Sequence, residues 1–239
     1  MKVKTNILKA FVNKIRMDSK QGIDEAVFNF DKDGLKINAN SPPKQVRVMG
    51  WLKTGAFVEY EEFGKVGVNE LGNFHKILGR FGEDISLKKE GNLLTIKEKG
   101  KKVDIELAAE EFLSGDTGEP ELEFADNFSI SATALKGIFN DAQINSDAVI
   151  KVETEEKKVK FSNTGKYKFL TELEATTCKG GVNVNFGEPL ISATTKLDGN
   201  LEVSVKTNYP AKILEKTENS IITVIVAPRV EDEDEKWIA

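Results

Sequence analysis

At 239 residues, 39% hydrophobic and 31% charged, the chain has the length and composition of one large or two small globular domains, each able to bury a core. One cysteine, Cys178, and one histidine, His75, exclude an internal disulfide and a Cys/His zinc cluster, and no apolar run approaches the ~18 residues of a membrane-spanning helix. The formal net charge of −5 argues against a uniformly cationic surface, but it does not exclude a local basic face.

Along the chain, MKVKTNILKAF has no apolar core of signal-peptide length, which with the lone cysteine predicts a cytoplasmic protein. Ile7, Leu8, Phe11, Val12 and Ile15 recur at helical spacing, with Thr5 as the expected N-cap. Opposite this stripe, Lys9, Asn13, Arg16 and Lys20 fall along one line. AVFNF and LKINA then alternate with period two around the turn signal DKDG, a hairpin. The stretch VGVNELGNFHKILGRFGEDISLKKEGNLLTIKEKGKKVDIEL predicts a strand end, a second helix and three alternating strands. That helix turns Leu71, Phe74, Leu78 and Phe81 inward and Asn73, Lys76 and Arg80 outward. ELAAEEFLSGDTGEPELEFAD, rich in Glu, Gly and Pro, reads as a linker.

After the linker the plan recurs. SATALKGIFNDAQINSDAVIKVETEEKKVKFSN gives a helix striped with Leu135, Ile138, Phe139 and Ala142, then the strands AVIKVE and KVKFS. GGVNVNFGEPLISATTKLDGNLEVSVKTNYPAKILEKTENSIITVIVAP matches the second half, with Gly-Val-Asn opening both copies. One unit is written twice. The boundaries are set at 1–108 for the first domain, 109–125 for the connector and 126–239 for the second domain. Short helices among many half-apolar strands predict an α+β fold of antiparallel sheets, with two helices per domain gathered on one side. The second domain's helices expose Lys136, Asn140 and Gln143, then Ser192 and Lys196, with Asp141 and Glu188 nearby, so those faces are polar but near neutral.

Little in the chain suits catalysis. Gly64, Gly67 and Gly72 fit neither the dinucleotide nor the phosphate-loop spacing, the carboxylates are scattered among lysines, and no nucleophile–base pair is evident. Binding is the expected work, with no cofactor and no metal. The acid-free helix rows suit two readings, an ordinary solvated face or a surface for phosphate backbone.

The doubled unit, the stretch GVNELGNFHKILGRFGEDISL and the ending VIVAPRVEDE together resemble the sliding clamps of the proliferating cell nuclear antigen (PCNA) family in their archaeal form. The resemblance spans essentially the whole chain. It implies a non-enzymatic ring, usually a homotrimer of two-domain subunits, that encircles duplex DNA with its helices inward. Such a ring tethers DNA polymerase, flap endonuclease, ligase and clamp loader through short hydrophobic peptides, which implies a nucleoid-associated protein. By resemblance, Lys9, Lys14, Arg16, Lys20, Lys76, Arg80, Lys136 and Lys196 contact phosphates. Partner peptides would dock against Val46, Val48, Leu122, Phe124, Pro210, Val226, Ala227 and Pro228. Glu119 stands where relatives carry an aliphatic residue, with Leu113 or Leu122 available in its place, and Trp237 in the acidic tail has no counterpart role.

Family subunits join edge to edge, which here would set Lys99–Leu107 antiparallel to Lys166–Glu174. The interface residues are then Lys102, Val103, Asp104, Ile105 and Glu106 against Lys166, Tyr167, Lys168, Phe169 and Glu172. Both stretches run from basic to acidic, so opposite charges meet at each end. The alternative is a clamp-fold interaction module, a hetero-oligomer subunit or a monomeric decoy, that binds partners without encircling DNA. The hydrocarbon run IITVIV is expected as a central strand of the second domain, halted by Pro228.

Overall fold

The computed structural model describes residues 1–17, 22–109, 113, 120–163 and 165–229. Lys20, Glu119, Trp237 and the acidic tail lie outside the described residues. The chain divides into two compact units: the first takes Met1–Pro120 and Leu214–Val224, the second takes the rest.

In chain order the elements up to the connector are β1 (Lys2–Lys4), α1 (Thr5–Ile15), β2 (Glu25–Asp31), β3 (Gly34–Asn40), β4 (Val46–Lys53), a 3-10 turn (Thr54–Ala56), β5 (Phe57–Glu59) and β6 (Gly64–Asn69), followed by α2 (Leu71–Leu78), β7 (Asp84–Glu90), β8 (Leu93–Glu98) and β9 (Lys101–Glu106). One antiparallel sheet of this unit runs β5-β1-β7-β8-β9; in another, β6, β2, β3 and β4 lie side by side. Of the helical stripe, Leu8, Phe11, Val12 and Ile15 are buried, at 3% exposure or less, while Ile7 at its edge is only half-buried. α1 packs closely over β4 at Gly50, where a Cβ would sit 2.5 Å from Ile15 Cδ1 and 2.8 Å from Phe11 Cζ.

Thr5 is not the N-cap. β1 runs into α1 without a loop, so Lys4 takes the cap position with extended backbone and Thr5 is the first helical residue. Its amide donates to Glu83 O at 2.8 Å, and its hydroxyl is buried with no hydrogen-bond partner among the described residues.

The second half contains β10 (Asp126–Ser131), α3 (Ala132–Ala142), β11 (Ile150–Glu155), β12 (Lys158–Ser162), β13 (Leu170–Glu174), β14 (Asn183–Phe186), α4 (Glu188–Thr194), β15 (Asn200–Val205), β16 (Ala211–Lys216) and β17 (Ser220–Val226). Its sheet β13-β12-β11-β14 is antiparallel throughout, and β10 pairs with β15 from Asp126↔Val205 to Ser131↔Asn200. Buried Asp126 accepts from Thr154 Oγ1 and from the amides of Lys179 (2.8 Å) and Gly180 (3.1 Å), which fixes the loop ahead of β14.

Two expectations change. β17 is buried on both faces from Ile222 to Val226, as its composition predicts, but Leu214–Val224 belongs to the first unit, where β17 lies next to β4. It is therefore not simply a central strand of the second domain. The stretch Lys166–Phe169 is a loop, and the strand begins only at Leu170. Asn145 Oδ1 accepts from Tyr167 N (3.0 Å), Asn145 Nδ2 and Asn163 Nδ2 donate to Tyr167 O (2.9 and 2.8 Å), and Phe169 N donates to Asn163 Oδ1 (2.9 Å). Side-chain amides thus take the backbone groups that a strand would have offered to a ladder.

Candidate nucleic-acid interface and docking surfaces

The segments forming α1 and α2, TNILKAFVNKI and LGNFHKIL, contain no acidic residue. On α1, Lys9, Asn13 and Arg16 are half-exposed, and Arg16 Nε donates to Asn13 Oδ1 at 3.1 Å. On α2, Asn73 and Lys76 are exposed; the helix ends at Leu78, so Arg80 lies just past its C-cap, also exposed. The two rows converge. Lys9 Nζ lies so near Gly79, the C-cap of α2, that a Cβ there would be 3.1 Å from it. The unpaired carbonyls of a helix C-terminus favour a cation at that position. The result is a cationic surface formed by Lys9, Lys76 and Arg80, with Arg16 farther along α1.

Lys14 is placed differently. Its ammonium sits 2.6 Å from Glu215 Oε1, with side-chain exposures of 15% and 2%, inside the first unit. In the second unit Lys136 lies 3.7 Å from Asp198 and Lys196 is half-exposed. Glu188 in the first turn of α4 accepts from Ser192 Oγ. α3 thus carries a base with an acid near it, while α4 ends at Thr194, so Lys196 lies just past its C-cap.

The expected peptide-docking residues separate into two groups. Val46 and Val48 are 1% and 0% exposed on the core face of β4, alongside Gly50 and Leu52. Alternation then turns Arg47, Met49 and Trp51 outward, so a surface site at this strand would use those residues instead. Val226 is likewise sealed at 0%. Leu122, Phe124, Pro210, Ala227 and Pro228 remain half-exposed in the second unit. Phe124 meets Tyr209 edge-on at 6.1 Å, and Lys206 Nζ lies 4.9 Å from the Tyr209 ring centre. β16 and β17 are neighbours joined at a turn closed by Thr217 N to Ser220 O (2.8 Å), so their antiparallel return sets Ala227 and Pro228 opposite Pro210 and Tyr209. Tyr209 is the member that sequence reasoning passed over; an aromatic directly before a proline at a strand entry was its signal.

β9 and β13 each end a sheet and pair on one side only. Along β9, Lys102, Asp104 and Glu106 point to solvent, while Val103 and Ile105 are half-buried. A hydrogen bond from Lys102 and another from Thr95 hold the Asp104 carboxyl below its usual range. Beside the C-terminal end of β9 opens a cleft of about 390 Å³, floored by Phe74, Ile77 and Leu107, with Glu70 and Glu106 at its walls. Among the described residues no group of three or more His, Cys, Asp or Glu side chains could hold a metal. Burial, and then the Asp126 carboxylate, push the Cys178 thiol up to about 11, which leaves it a poor nucleophile at neutral pH. No helix among the described residues is long and apolar enough to cross a membrane.

No protein-family model matches the chain. A DNA polymerase sliding clamp of Thermococcus onnurineus is 28% identical over 233 residues, covering 88% of this chain and 91% of that protein. The clamp of Pyrococcus furiosus is 28% identical over 232 residues with the same coverage, and that of Methanococcus vannielii is 24% identical over 229 residues. Among solved structures, A. fulgidus PCNA bound to the C-terminal region of FEN-1 superposes with a TM-score of 0.85 at 19% identity, covering 97% of this chain and 98% of that one. PCNA of Entamoeba histolytica gives 0.79 at 20% identity, over 96% and 98%. The chain has the α+β fold of the PCNA-type sliding clamps.

Proposed function

We propose that this chain, a sequence relative of the archaeal sliding clamps with the PCNA fold, is itself a DNA polymerase sliding clamp: a non-enzymatic processivity factor that holds duplex DNA and tethers replication and repair proteins. The observation that carries this is the convergence of Lys9, Lys76 and Arg80 around the C-terminus of α2, on helices without acids, in a chain of net charge −5. Cations placed this way neutralise phosphates and release counterions without reading base edges, which allows a protein to move along DNA. Arg16 extends the track, Lys136 contributes less because Asp198 lies 3.7 Å from it, and Lys196 adds a cation past the end of α4. Lys14 is not part of it.

Leu122, Phe124, Tyr209, Pro210, Ala227 and Pro228 form the docking surface for short apolar peptides of partner proteins; the structurally similar A. fulgidus PCNA binds the C-terminal region of FEN-1. Subunits join through β9 and β13, closing a homotrimer. Residues 1–108 and 126–239 are its repeated domains and 109–125 its connector, with the β16–β17 hairpin contributing to both compact units. The protein works at the nucleoid in the cytoplasm and needs no cofactor.

The test is a polymerase assay on primed circular DNA with the purified chain and with Lys9→Glu/Arg80→Glu. The wild type should increase product length, and the double variant should lose most of that gain while sedimenting as the same oligomer. Wild-type stimulation should also fall steeply with salt. Unchanged stimulation by the variant removes the assigned face. A wild-type monomer that binds partner peptides but never stimulates would make the chain an interaction module instead.

A further inference from the structure

We propose that the Lys166–Phe169 loop of one copy plugs the cleft beside β9 of the next copy, with the Tyr167 ring as the plug; this rests on the self-association in the clamp reading. Tyr167 is 56% exposed, and Leu170 at the start of β13 is 62% exposed, two of the few large apolar side chains so exposed among the described residues. Exposed aromatics cost solvation unless something covers them, and a preformed loop presents this one at little entropic cost. Four side-chain amide hydrogen bonds from Asn145 and Asn163 set the loop's shape before any partner arrives.

The receiving site matches in position, size and charge. If β9 and β13 pair antiparallel, the loop just ahead of β13 falls beside the C-terminal end of β9. The cleft opens there, since Ile105, Glu106 and Leu107 line it. Its volume of about 390 Å³ exceeds the roughly 150 Å³ cavity that accepts a benzene ring, leaving space for a phenol and a neighbouring methyl group. Phe74 and Ile77 supply an apolar floor, while Glu70 and Glu106 stand opposite Lys166 and Lys168, the two bases that flank the plug. Glu70 is held at the rim with left-handed backbone (φ 71), and its carboxylate accepts from Asn73 Nδ2 at 2.7 Å, so the acidic wall is preformed too. The two surfaces differ, so the contact is head-to-tail and can repeat around a ring. Strand pairing supplies direction, and the plug fixes register: a slip by two residues would take Tyr167 out of the cleft.

Association is measured by sedimentation velocity across a dilution series for wild type, Tyr167→Ala, Glu106→Lys, Lys166→Glu and the combined Glu106→Lys/Lys166→Glu chain. Tyr167→Ala should weaken association by roughly tenfold or more, with an unchanged circular dichroism spectrum, because its side chain is exposed in the single chain. Each charge reversal should weaken association, and the combined chain should recover most of it. If the wild type associates and all four variants match it, the plug is wrong while the clamp reading stands. A wild type that remains monomeric at every concentration overturns both.

Discussion

Lys14 shows how a side chain of the right type and place can still be unavailable. It projects from the same helix as Lys9 and Arg16, and family resemblance alone would count all three as phosphate contacts. Its ammonium instead sits 2.6 Å from Oε1 of Glu215, a carboxylate 2% exposed. Removing one partner of a largely buried pair whose other member keeps further interactions costs on the order of 1–3 kcal/mol. Lys14→Met should therefore lower the urea-unfolding free energy by about that much, with little change in the salt dependence of DNA binding. Lys14→Met/Glu215→Leu should recover much of the loss. Lys9→Met should do the reverse, leaving stability within about 0.5 kcal/mol and reducing the salt slope by about 1. Equal effects of the two substitutions on the salt slope would return Lys14 to the binding face.

At the scale of elements, the helices were the most legible part of the chain, since an apolar residue every third or fourth position leaves few other structures open. The linked hairpin β2–β3 was also readable from DKDG, as was its counterpart β11–β12. Three features were not. β4 carries apolar side chains on both faces, Val46, Val48 and Leu52 on one and Met49 and Trp51 on the other, so period two fixed the strand without indicating which face meets the core. In Lys166–Phe169 the local composition suits a strand, but Asn145 lies 22 residues earlier than Tyr167 and takes its backbone, a long-range choice that no local window contains. At Thr5 the residue type is right for a cap, but β1 abuts the helix and moves the cap one position back. Where the expected chemistry is present, it is testable. Ser131 caps α3 by accepting from Ala134 N at 3.1 Å, so Ser131→Ala should cost about 1 kcal/mol in urea unfolding and Ser131→Gly only a few tenths. A neutral Ser131→Ala would mean that solvent satisfies that amide equally well.

For the molecule as a whole, the duplicated sequence suggests domains at 1–108 and 126–239 joined by a connector at 109–125; the compact units part within that stretch, after Pro120, but the first also takes a segment from far beyond it. Leu214–Val224 belongs to the first unit, where β17 lies beside β4, so the first repeat is incomplete without a segment written more than a hundred positions later. A fragment of residues 1–109 would keep α1, α2 and the sheet ending in β9, but β4 would become a bare edge. Two consequences follow from physical chemistry. The Glu215 partner of Lys14 would be missing, and the unpaired amides and carbonyls of β4 would offer a template for aggregation. The fragment should therefore show no cooperative thermal transition and should bind a hydrophobic dye, whereas the full chain should unfold cooperatively. Adding residues 211–229 as a separate peptide should restore part of the cooperativity, since the β16–β17 hairpin carries both missing partners in one piece. A fragment that folds cooperatively on its own as a monomer would mean that the repeat boundary at 108 is a physical one, and that β17 is incidental to the first unit.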